Sequence, residues 1–167
     1  MKHFLATGSF TALSFLCLTT AAFASPAPSL DSDGTQSTYV TASVKFPSIV
    51  GAKISGSNHV ITISGNGMSL RGLAIALPKQ MENFTDVTIQ NGSGGFIPAM
   101  VERQDGRLMI LFAAPVVANS ILNVQLNDVQ MRTKGGEQLP YGVKVMQTGT
   151  NGDISIGTAL ISVPNRD

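Results

Sequence analysis

The chain has 167 residues, with eleven Lys+Arg against ten Asp+Glu, two histidines and one cysteine. This near-neutral balance, without a basic run, excludes the electrostatic footprint of a nucleic-acid binder and offers no attraction to an acidic membrane surface. A single cysteine excludes a disulfide framework within the chain.

The first element in chain order is a targeting signal. Lys2 and His3 form a short basic region, Phe10 to Ala22 is mostly apolar, and Ala22-Phe23-Ala24 puts small residues at the two positions a signal peptidase inspects. Residues 1–24 are therefore expected to leave as a secretory signal peptide, with the mature chain starting near Ser25. The apolar stretch falls short of the ~20 residues a membrane-spanning helix needs. Cys17 follows the bulky Leu16, where a lipoprotein signal places a small residue. Cleavage removes Cys17 and Lys2, which leaves no cysteine and ten basic against ten acidic residues. Such an exported chain has no disulfide to lean on, so its fold must rest on its core. The ~140 remaining residues suffice for that in one domain. No later stretch is apolar enough to span a membrane.

Residues 25–37, "SPAPSLDSDGTQS", cannot bury a core face and read as a flexible leader. Residues 38–167 read as one β domain. In "YVTASVKF", Val40, Ala42, Val44 and Phe46 share one face, the period-two pattern of a half-buried strand. "HVITIS", from His59, is short and β-branched. "MSLRGLAIALP" places Leu73, Ile75 and Leu77 together before Pro78. "LPKQMENF", from Leu77 to Phe84, is the one candidate for a helical turn. "FTDVTIQ" is another strand, and "FIPAMVER" with "RLMILFA" makes a hairpin turning at Asp105-Gly106. "ILNVQLNDV" alternates most cleanly, with Leu122, Val124 and Leu126 inward. "YGVKVMQ" and "ISIGTALISV" close the set. Eight or nine short strands joined by Gly, Asn and Pro turns predict an all-β, antiparallel Greek-key β-sandwich.

No catalytic constellation emerges. His59 is the only histidine after cleavage, has no nucleophile turn near it, and is expected in solvent at a strand edge. The acidic pairs Asp31/Asp33, Glu82/Asp86 and Glu102/Asp105 sit beside turns or in the leader, where acids face water. "TGTNGDISIG" could offer Asn151 and Asp153 to calcium, but a tight turn explains them with fewer assumptions. Thioethers suit Cu(I), so the metal candidates are Met68, Met109 and His59, although the six methionines after Met1 are scattered as core packing would scatter them. "NGSGGF" could hold an anion on its amides, but turning the chain is the simpler use. Asn83 and Asn91 begin glycosylation sequons.

Several segments in order carry a resemblance: "LPKQMENFTDVTIQNGSGG", "LFAAPVVANSILNVQLNDVQ", "TKGGEQLPYGVKV" and "ISIGTALISV". Together they resemble the exported cyanobacterial family catalogued as domain of unknown function 2808, over roughly Leu73 to Val163. The resemblance implies a bacterial exported domain in the periplasm, the thylakoid lumen or outside the cell, and carries over no active site. The pair Gly135-Gly136 is expected to turn a corner, with Leu139, Tyr141, Val143 and Val145 on one core-facing side and the Tyr141 hydroxyl at the sheet edge.

The expectation for function is a non-enzymatic interaction or accessory module of the cell envelope that needs no cofactor. Its partner would be an envelope protein or polysaccharide, met by faces rich in Asn, Gln, Ser and Thr. Two alternatives are a small-ligand or copper-binding periplasmic protein and a carbohydrate-active enzyme.

Overall fold

In a computed structural model, residues 45–165 are described, and the period-two alternation of the sequence lays them into strands. These are β1 Ser48–Ser55, β2 Asn58–Ser64, β3 Leu70–Ala76, β4 Met81–Asn83, β5 Val87–Asn91, β6 Ala99–Gln104, β7 Arg107–Val116, β8 Ile121–Leu126, β9 Gln130–Met131, β10 Gln138–Gln147 and β11 Asp153–Ser162. All pairings are antiparallel. One sheet runs β1-β2-β8-β5, a second runs β11-β10-β3-β7-β6, and β4 pairs with β9 in a short ladder. No helix occurs among the described residues. The signal peptide, the leader and the expected strand's Val40, Ala42 and Val44 lie outside them.

Register brings the inward residues into rows. Ile61, Val124 and Ile89 are mutual partners across the first sheet. Val145, Leu73 and Ile110 do the same across the second. Both rows belong to one buried cluster between the sheets. Each fully buried Leu or Ile contributes about 1.5–3 kcal/mol relative to exposure, so these rows supply much of what opposes chain entropy.

Turn chemistry sets the registers. Asp105 and Gly106 both have positive φ, 49° and 73°, as a two-residue I′ hairpin requires. In β11 the register jumps between the pairs Val143–Gly157 and Lys144–Ser155, with Gly157 at φ 116°. That bulge resets the alternation: Ile154 and Ile156 pack on the core before it, Ala159 and Ile161 after it.

Four expectations need correction. Phe46 does not share a buried face; it is 60 % exposed and precedes β1. "LPKQMENF" forms a turn and then β4 rather than a helical turn, because β9 offers backbone partners to it. Among the described residues the strands number eleven rather than eight or nine, since β1, β4 and β9 gave no clean alternation. Asp86 and its neighbours Phe84 and Thr85 precede β5 rather than belonging to it.

Candidate functional site

A cleft of about 470 Å³ opens at one end of the sandwich. Its walls are turns. Gly56 and Ser57 come from the β1–β2 hairpin, Val129 to Gly135 from the run between β8 and β10, and Val163 and Pro164 from the segment after β11. Hydrogen bonds pin these pieces to one another. Val129 N–H donates to Ser57 O at 2.9 Å, and Ser57 Oγ donates to Asp128 Oδ1 at 3.0 Å. Asp128 N–H donates to Asn58 Oδ1 at 3.0 Å. On the other side, Gly136 N–H donates to Val163 O at 2.9 Å and Val163 N–H to Glu137 O at 2.8 Å. Gly136, at φ 83°, does turn a corner between strands, while Gly135 beside it lines the cleft.

His59 also lines this cleft. It points inward from β2, is only 4 % exposed, and is hydrogen-bonded through Nδ1 to the hydroxyl of Tyr141, which is fully buried on β10. The bond joins the two sheets across the end of the core. The ring planes meet at 80° with centroids 5.9 Å apart, an edge-on contact. The histidine expected in solvent and the hydroxyl expected at the sheet edge are thus each other's buried partners. Burial lowers the His59 pKa from 6.5 and raises that of Tyr141 well above 10.

Hydrogen-bond accounting fixes the tautomer. Tyr141 Oη has no other partner among the described residues. If Nδ1 donated, the phenolic proton would be stranded in the core at a cost of about 1–3 kcal/mol. Tyr141 therefore donates, Nδ1 accepts, and Nε2 carries the proton. Among the described residues no fully buried side-chain N or O lacks a partner, and Nε2 has none there, so Nε2 is not sealed in the core; His59 meets open space where it lines the cleft. In this tautomer Nε2 has no lone pair to give a metal.

A second feature lies on the outer face of the five-stranded sheet. Met100 and Leu111 are direct cross-strand partners, 70 % and 44 % exposed. Leu111 also pairs with Gly72, and Gly72 with Met146. A Cβ on Gly72 would meet Ile110 O at 2.5 Å, Met146 Sδ at 3.1 Å and Leu111 Cδ2 at 3.2 Å, so both side chains close over the glycine. Beside them runs a trough of about 310 Å³, lined by Ala74, Ala76 and Gly142 and by the longer side chains Arg107, Met109 and Lys144.

The three metal candidates are not brought together. Met68 follows the far end of β2 from His59, five strand residues and roughly 17 Å away at ~3.3 Å per residue. Met109 lies in the outer trough, on the opposite side of its sheet from the core. No group of three or more His, Cys, Asp or Glu residues converges among the described residues. Glu82 is paired with Arg132 at 2.7 Å, and Asp86 accepts from Asn127 at 2.6 Å. In "NGSGGF", the amides of Ser93 and Gly95 turn onto Asn91 Oδ1 at 3.1 and 2.7 Å, which occupies the donors an anion would use. The cleft itself was missed in the sequence, because His59 and Tyr141 stand 82 residues apart.

No family model matches this chain, and no curated protein matches it. Among solved structures it is similar to BslA, described as a bacterial hydrophobin, with TM-score 0.44 and 20 % identity over 73 % of this chain and 93 % of that one. It is also similar to the collagen-binding domain of a Staphylococcus aureus adhesin, with TM-score 0.43 and 4 % identity over 72 % and 99 %. At such identities and scores neither likeness bears on what this chain binds. Among the described residues no helix is long and apolar enough to cross a membrane.

Proposed function

We propose that the chain is an exported, non-enzymatic interaction module of the cell envelope, which holds an envelope protein or polysaccharide against the outer face of its five-stranded sheet. The observation that carries this is the in-register pair Met100–Leu111, an exposed and a half-exposed apolar side chain side by side on an open sheet face. Exposed apolar groups that adjoin one another, unlike ones scattered singly, are what interaction surfaces are built from. The adjoining small-residue floor lets a partner approach the backbone closely, and Arg107 and Lys144 supply donors at its sides. Export itself rests on the signal-peptide pattern and on the resemblance to a cyanobacterial exported family.

The test is cross-linking in intact cells, with mass spectrometry of what is enriched with the protein. The expected result is one dominant envelope partner linked through Lys144. The double substitution Met100→Lys and Leu111→Lys should abolish its capture while the chain stays folded, at a cost of about 1 kcal/mol, since Leu111 gives up its packing over Gly72 and the two new charges face each other across the strands. A lone monomer, or a partner retained by the double variant, would sink the reading.

A further inference from the structure

We propose that the end cleft is a binding site for a small uncharged ligand bearing a secondary amide, whose carbonyl oxygen accepts from His59 Nε2–H. The argument starts with the donors and acceptors the cleft presents. His59 offers one N–H, held in place because its other nitrogen is occupied by Tyr141. Ser57 spends its hydroxyl proton on Asp128, and Thr133 Oγ1 donates to Lys134 O at 2.7 Å. Both lining hydroxyls therefore turn lone pairs, not protons, toward a guest. Among the lining side chains this gives one fixed donor and two acceptor hydroxyls, the complement of a group with one acceptor and a nearby donor. A secondary amide has both, two bonds apart.

Charge and shape narrow the class. Asp128 sits one hydrogen bond behind Ser57, so a carboxylate at His59 would meet a like charge with no cation on the lining to offset it. Ile54, Val129, Met131 and Val163 give the site its apolar walls. They suit the methyl or side chain of an acylated amine. The volume, about 470 Å³, lies within the usual range of small-molecule sites. The walls are pinned turns, so the site is formed before a guest arrives. It opens at the end of the sandwich and is independent of the proposed contact on the sheet face.

The amide could belong to an acetamido sugar or to a blocked peptide unit, and N-acetylglucosamine and N-acetyl-leucine methylamide are the two probes. Each is titrated into the full chain carrying His3→Gln, which leaves His59 as the sole histidine. Long-range nitrogen–proton spectra of the imidazole should show Nε2 protonated before any probe is added. One of the probes should then shift the His59 ring nitrogens and the Ile54, Val129 and Met131 methyls to saturation; which one does so identifies the source of the amide. Thr133→Trp puts a bulky side chain into the cleft from its lining and should weaken binding about tenfold or more. A resting tautomer with the proton on Nδ1 would overturn the proposal. So would silence with both probes up to their solubility limits, or binding unaffected by Thr133→Trp.

Discussion

Tyr141→Phe removes one oxygen from the core and nothing else. Tyr141 is fully buried, and its hydroxyl is the only described partner of His59 Nδ1. The change strands an imidazole nitrogen that is only partly reached by solvent, for which about 1–3 kcal/mol is the usual cost. For a domain of this size that is a fall of a few degrees to about ten degrees in midpoint. Urea unfolding followed by circular dichroism reads it directly, as a lower midpoint at unchanged slope. The discriminating measurement is the cycle with His59→Leu. Once the histidine is gone, losing the hydroxyl should cost far less, so the two changes should couple by about 1–3 kcal/mol. A coupling near zero would refute the buried pair, and with it the tautomer on which the cleft chemistry depends.

The remaining predictions follow from charge and from backbone geometry. His59 has a folded pKa below its unfolded value of 6.5, so its contribution to stability is complete above pH 6.5 and is lost as the pH falls below that. Tyr141 has a folded pKa above its unfolded value of 10, so stability also falls as the pH rises past 10; unfolding midpoints across the pH range should show a plateau between these limits. Gly72→Ala should cost about 1–3 kcal/mol of stability, read as a lower urea midpoint, since its Cβ would press on the Ile110 carbonyl from 2.5 Å, a backbone atom that cannot swing aside. Gly106→Ala meets no atom within 4 Å yet should cost about 1–2 kcal/mol, because φ 73° is a left-handed conformation. Glu82→Gln should change the urea-derived stability by no more than about 0.5 kcal/mol, as its pairing with Arg132 is solvent-exposed on both sides.

Where alternation was strict, the fold could be read in advance. Leu122, Val124 and Leu126 are all fully buried, and Asp105-Gly106 makes the tight hairpin its residue types demand. β1 escaped because Gly51 and a register shift between Ile49 and Gly51 break its period. β4 and β9, three and two residues long, are too short to have a period at all. The site was the least legible part. Nothing local to "NHV" says that the imidazole turns inward, since burial there depends on a tyrosine brought across by the opposite sheet. The trough depends likewise on Ala76 and Gly142 meeting in register from different strands. Such features are products of pairing, and pairing is set by the whole chain.

The methionines differ in a way that matters chemically. Met100 stands in water, whereas Met81 and Met146 are buried. Peroxide and related oxidants reach an exposed thioether first and convert it to a polar, chiral sulfoxide that reductases can restore. The buried thioethers are shielded from the same attack. A mild oxidant would therefore change the character of the outer sheet face at Met100 while the packing beneath it stays as it was. The contact proposed for that face would then answer to the redox state of the surroundings, chiefly through the exposed sulfur of Met100 and without any movement of the backbone.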